Sequence, residues 1–185
     1  MTQGKLTVIC GAMFAGKTTR LLAEGERYAK AGKSILYLKP SIDNRYAEDE
    51  IVTHDGIRVP ASIMPNSLKD RYILERAGVI LIDEVQFVEP HLIEEIVELV
   101  NEGKTIICAG LDLDYRTHSF NVTRELLSQA DEVIKIKGIC RCGKDTRYSL
   151  LKQNQGVNGI VHLGAAETYE ALCRNCYEKR KDCEK

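Results

Sequence analysis

The stretch Gly11-Ala12-Met13-Phe14-Ala15-Gly16-Lys17-Thr18 matches G-x-x-x-x-G-K-[ST] at every required position. The motif has meaning only between an apolar strand and a helix. Both are there: "LTVIC" at 6–10 precedes it, and "TTRLLAEGERYAKAG" with helical spacing begins at Thr18. The glycines permit the bends that aim backbone N–H groups at phosphate oxygens, and the helix N-terminus adds partial positive charge. Lys17 can bridge the β- and γ-phosphates, and the Thr18 hydroxyl can ligate Mg²⁺. Such a loop serves nucleotide hydrolysis in most chains and phosphoryl transfer to a small molecule in others.

The remaining pattern fixes the fold class. Short runs rich in Val and Ile recur at 6–10, 34–38, 79–83, 105–110 and 132–136, with helix-like segments between several of them. One such segment, "PHLIEEIVELVNEG", has Pro90 near its start and Gly103 just past its end. Alternating strands and helices predict an α/β domain with a mostly parallel sheet covered on both faces, like that of P-loop nucleotide hydrolases. Residues 40–66 hold turn formers and "THDGIRVP", and read as a long loop or a β-hairpin with His54 as a turn residue. After Lys137 the pattern changes to cysteine pairs, Gly and short β-like runs. The expected division is therefore 1–137 and 138–185, a size that suits one domain with a small appendage.

Charge and apolar content limit the partners. Lys and Arg number 26 against 27 Asp and Glu, which argues against nucleic acid as a partner. No apolar run approaches the roughly 20 residues of a membrane span, and the first residues lack a secretion signal. The expected compartment is the cytoplasm, where the seven cysteines are thiols or metal ligands. Cys10 and Cys108 lie in strand-like runs and read as core.

Two constellations carry chemistry. "VILIDE" puts Asp83 and Glu84 at the end of a buried strand, the usual place for the acidic partner of a phosphate loop near Mg²⁺. Glu84 suits either activation of water or proton removal from a substrate hydroxyl, so hydrolysis and transfer stay tied at this residue. Cys140 and Cys142, with Cys173 and Cys176, form two pairs about thirty residues apart, which suit tetrahedral structural Zn²⁺. The first pair has a one-residue gap where two is ordinary. Cys183 near the charged tail is a possible substitute ligand.

Taken in order, "GAMFAGKTT", "IDNRY", "THDG", "LIDEVQF", "GLDLDYR", the cysteine pairs and "VHLGAAETYEALCRNC" resemble the thymidine kinase family, in its zinc-containing, phosphate-loop branch. The resemblance runs from Lys5 to about Tyr177. It implies ATP- and Mg²⁺-dependent phosphorylation of the thymidine 5′-hydroxyl, with Glu84 as the base and Thr18 and Asp83 near Mg²⁺. Gly11, Ala12, Met13, Phe14, Ala15, Gly16, Lys17 and Thr18 would hold the ATP phosphates. Asp43, Asn44 and Arg45 would add contacts near the nucleotide, and Asp83, Glu84, Val85 and Gln86 would complete its surroundings. Met13 and Phe87 would wall the base pocket, Tyr115 would stack on or cover the nucleoside, and Ser149 would sit near the thymine methyl group. A lasso-like loop of the small lobe, Ile160, Val161, His162, Leu163 and Gly164, would grip the pyrimidine through backbone groups, with Tyr169 closing over the sugar. The resemblance also implies structural zinc, a homotetramer, feedback inhibition by thymidine triphosphate, and thymidine or deoxyuridine as acceptor. Ala12, Ala15 and Val85 depart from the family pattern, as does the short gap between Cys140 and Cys142. Two rival classes, an ATP-driven motor with a zinc ribbon and a non-catalytic nucleotide-binding regulator, explain fewer of these stretches. The first leaves the balanced charge unexplained, the second the intact Lys17 and Glu84.

Overall fold

A computed structural model describes residues 3–42, 49–53, 55–69, 74, 76–152 and 168–183. Strand β1 (Lys5–Cys10) carries five consecutive buried residues, so it belongs inside a sheet covered on both faces. It pairs in parallel with β7 (Thr105–Gly110) on one side and β8 (Glu132–Lys135) on the other. From β7 the sheet continues through β6 (Val79–Ile82) and β2 (Ile35–Lys39) to the two-residue β5 (Ser62–Ile63). All these pairings are parallel. The register sets Cys10 beside Gly110, and Ile82 beside Cys108, so the strands finish along one edge.

Side-chain alternation sends the strands' apolar groups to two cores. Leu6 and Val8 join Leu38, Ile80, Ile82, Ile106 and Cys108 on one face. There α2 (Leu92–Asn101) and α3 (Asn121–Gln129) cover them with Leu92, Ile96, Leu99, Val122 and Leu126. Ile9, Val79, Leu81, Ile107 and Ala109 line the opposite face beneath Leu21 and Tyr28 of α1 (Lys17–Lys30). Each fully buried Leu or Ile contributes about 1.5–3 kcal/mol relative to exposure. Helix α2 ends where Gly103 predicts, at φ 100°, with the Gly103 N–H donating to Val100 O at 2.9 Å. Cys10 and Cys108 are core residues, 1% and 0% exposed.

The stretch from 40 to 66 contains a hairpin of β3 (Glu50–Val52) and β4 (Arg58–Pro60), whose turn is tied by the Gly56 N–H to Thr53 O. Beyond β8, β9 (Tyr148–Leu151) and β10 (Tyr169–Leu172) form a separate antiparallel pair, followed by α4 (Arg174–Cys183). Tyr148, Leu150, Leu172 and Tyr177 make a third, small core with Cys140 and Cys173, and Leu113, three residues past the end of β7, packs against it. Among the described residues no helix is long and apolar enough to cross a membrane.

Candidate active site

The parallel register brings the phosphate loop, after β1, and the acidic strand end, after β6, to the same edge. Gly16 enters α1 at φ 86°, and Phe14 in the middle of the loop is left-handed at φ 61°. Lys17 Nζ donates to Ala12 O at 3.0 Å, so the lysine lies over its own loop. The Thr18 hydroxyl donates to Asp83 Oδ2 at 3.0 Å, which joins the two motifs directly. Asp83 is 5% exposed. Burial pushes its carboxyl up and the charge of Glu84 adds to that, to about 7, against the Thr18 bond, the Glu84 backbone N–H and Lys17. A buried carboxylate and a hydroxyl in contact fit a Mg²⁺ bound with a nucleotide, since a dication would relieve that penalty.

Glu84 sits at φ 49° as the chain turns from β6 into a short 3₁₀ turn, Val85–Phe87. A non-glycine residue in this region is strained, and strain of this kind clusters at functional sites. Gln86 shapes the position. Its Oε1 accepts the Leu111 N–H at 3.0 Å, which leaves its amide N–H₂ to donate to Glu84 Oε2. Gly110 makes room for this, because a Cβ there would meet Gln86 Oε1 at 2.6 Å. Glu84 is thus held as an acceptor at the strand edge. Phe87 meets Phe120 edge-on, with ring centroids 6.3 Å apart.

The loop after β7 is built around two aspartates. Asp114 Oδ1 accepts the N–H groups of Arg116 and His118, which shapes the turn carrying Tyr115. The Arg116 guanidinium lies 5.1 Å from the Tyr115 ring centroid and donates to its hydroxyl oxygen. Asp112 Oδ2 receives both Lys135 at 2.7 Å and Arg147 at 3.0 Å. Burial alone would raise its carboxyl; the hydrogen bonds and charges of Lys135 and Arg147 outweigh that and hold it below the usual value. Sequence reasoning gave Asp112, Lys135 and Arg147 no role. The available signal was a carboxylate two residues past the buried end of β7.

The cysteine lobe touches this edge in several places. Ser149 Oγ accepts the Met13 N–H at 2.9 Å, so Met13 and Ser149 do come together. The Tyr177 hydroxyl donates to Tyr115 O at 2.8 Å. Tyr169 opens β10 and is buried. Cys140, Cys142, Cys173 and Cys176 place their sulfur atoms within 4.8 Å of one another. Zn–S bonds of about 2.3 Å in a tetrahedron require sulfurs about 3.8 Å apart, and Cys142 and Cys173 stand at 3.6 Å. Gly143, at φ 84°, closes the turn by donating to Cys140 O, which compensates for the short first gap. Burial opposes a Cys140 thiolate, yet the N–H groups of Cys142 and Cys173 and the neighbouring thiols bring it down to about 6. Four sulfurs in this arrangement fit zinc. Asp43, Asn44, Arg45, His54 and Ile160 to Gly164 lie outside the described residues, as does the Cys183 side chain.

Comparison with known proteins identifies the family of the chain. The family model described as thymidine kinase matches residues 4–177. The thymidine kinase of Pseudothermotoga lettingae is 38% identical over 178 residues, spanning 95% of this chain and 96% of its own. That of Thermococcus kodakarensis is 40% identical over 182 residues, spanning 92% of each. Among solved structures, AMPPCP-bound DnaA from Aquifex aeolicus is similar over 74% of this chain and 41% of its own, with TM-score 0.47 and 17% identity. With a family model over nearly its whole length and relatives of about 40% identity, this chain belongs to the thymidine kinase family.

Proposed function

We propose that the chain transfers the γ-phosphoryl group of ATP to the 5′-hydroxyl of thymidine, giving thymidine monophosphate and ADP. The observation that carries the reading is Glu84, held as an acceptor by Gln86 on the same sheet edge as the Thr18–Asp83 contact. In this reading residues 11 to 18 grip the phosphates, helped by Asp43, Asn44 and Arg45, with Asp83 to Gln86 alongside. Thr18 and Asp83 would hold Mg²⁺, which neutralises charge on the phosphates when bound. Glu84 accepts the 5′-hydroxyl proton as that oxygen bonds to phosphorus and the bond from phosphorus to ADP breaks. Lys17 stabilises the charge on the moving phosphoryl group.

Residues 1–137 form the nucleotide-binding lobe of this proposal, and 138–185 the lobe that covers the nucleoside. Met13, Phe87, Tyr115 and Ser149 would line the nucleoside pocket, closed by Ile160 to Gly164 and Tyr169. The four cysteines would carry structural Zn²⁺, keeping water from the reacting groups by ordering that cover. Deoxyuridine as a second acceptor, thymidine triphosphate as feedback inhibitor, a homotetramer and a cytoplasmic location complete the reading. The test is ADP release from Mg-ATP with and without thymidine, with the monophosphate followed in the same tube. ADP matched by monophosphate supports transfer; ADP release indifferent to thymidine replaces it with hydrolysis.

A further inference from the structure

The outer side of the phosphate loop is walled by the chain that follows β8. Cys10 O accepts the Ile136 N–H at 2.8 Å, and a Cβ at Gly11 would meet Ile136 O at 2.2 Å. A Cβ at Gly138 would stand 3.5 Å from both Phe14 O and Ala15 Cα. Gly138 is itself fixed, because its N–H donates to Thr146 Oγ1 at 2.8 Å. The crest of the loop then meets β9, where the Met13 N–H donates to Ser149 Oγ. Ser149 is 4% exposed and stands opposite Ala171 in the β9–β10 ladder.

The residue after Met13 is the strained one. Phe14 holds φ 61° without being glycine. Left-handed backbone at such a residue costs about 1–2 kcal/mol and persists only where its surroundings impose it. We propose that Ser149 is a positioning residue for the phosphate loop. Its hydroxyl oxygen takes the Met13 N–H, fixes the left-handed turn at Phe14, and so keeps the following loop N–H groups aimed at a polyphosphate. This deepens the kinase reading above and rests on it for one consequence. Ser149 belongs to the lobe proposed to cover the nucleoside, so the same bond couples the two substrates. Tightening of one by the other is then reciprocal, as linkage requires.

Ser149→Thr and Ser149→Val have the same shape and differ in the hydroxyl alone. Titration calorimetry with a Mg²⁺-bound, non-transferable methylene analogue of ATP, on full chain with measured zinc content, reads the loop without any nucleoside. The Val variant is expected to bind the analogue about fivefold more weakly than Thr, the value of one ordinary hydrogen bond. Saturating thymidine tightens the analogue in the Thr variant and does so less in the Val variant. Equal analogue affinity for Thr and Val overturns the proposal, and so does weakening that tracks loss of zinc or a lower melting temperature in both. A chain that binds the analogue but phosphorylates no nucleoside refutes the kinase reading, while the Thr and Val comparison still decides the role of Ser149.

Discussion

The two proposed lobes are held together by different means. The large lobe buries both faces of the central strands of a six-stranded parallel sheet, and its proposed reacting groups stand where β1, β6 and β7 end together. Among the described residues the small lobe has a core of six buried side chains, two of them cysteines. Apolar burial on that scale does not stabilise a domain, and a metal usually makes up the difference. Among the hydrogen bonds that tie it to the large lobe are those of Ser149 with Met13, Arg147 with Asp112, and Tyr177 with Tyr115. Each reaches a loop at the edge proposed to carry the reaction. In the proposed reading the large lobe therefore supplies chemistry by topology, and the small one adjusts it through a few polar bonds.

The strongest test of the large lobe's share is Glu84→Gln. It keeps the size of the side chain and removes the proposed base, so turnover should fall about 10²- to 10⁴-fold while binding of Mg-ATP is retained. Near-normal production of thymidine monophosphate would take Glu84 out of that role and move the chemistry elsewhere. The small lobe's share is tested next by Cys173→Ser, or by chelation. Hydrogen exchange should show protection lost in β9 and β10 and kept in β1, β6 and β7. Thymidine binding should suffer more than nucleotide binding. Protection lost in both lobes at once would make them one cooperative unit and end the contrast.

How much of this was legible in the sequence follows the same division. The phosphate loop, the buried run at Val79–Ile82 and the Gly103 stop are local patterns, and the structure has them where the residues predict. The two-residue β5 carries no such signal, because Ser62 and Ile63 are strand only through pairing with Leu38 and Lys39. The contacts of Asp112 with Lys135 and Arg147 span 23 and 35 residues, and that of Tyr177 with Tyr115 spans 62. No periodicity encodes separations of that kind. The one-residue gap between Cys140 and Cys142 looked like a defect for zinc until the left-handed turn at Gly143 and the β9–β10 ladder brought the sulfurs together.

Asp112→Asn attacks the contact at the seam. The carboxylate is buried, while Lys135 and Arg147 are 44% and 34% exposed, so the loss should be about 1–3 kcal/mol, below that of a fully buried pair. The folded carboxyl titrates below its ordinary value, so its stabilising effect is complete above the ordinary carboxylate range. The effect disappears as pH falls through the folded-state value. Denaturation midpoints of the parent and the variant should therefore differ by a constant amount from pH 8 to about 5 and converge below about 4. A gap that persists in acid would assign the effect to packing instead of charge.

The smallest effect isolates the small lobe's proposed grip on the nucleoside. Tyr177→Phe keeps the ring, which packs 4.8 Å from that of Tyr148, and removes the hydroxyl that donates to Tyr115 O. One hydrogen bond to a backbone carbonyl contributes about 0.5–1.5 kcal/mol. The Tyr115 loop is otherwise shaped by Asp114, so the fold should survive and the melting temperature should change little. The loss should appear as a rise of about two- to tenfold in KM for thymidine, with KM for ATP unmoved. Ser149 and Tyr177 lie in one lobe but hold different loops, so Ser149→Val should weaken the nucleotide even without thymidine, whereas Tyr177→Phe should act on the nucleoside alone. If Tyr177→Phe weakens the nucleotide as well, the lobe acts on the edge as a whole, and its separate contacts carry no separate instructions.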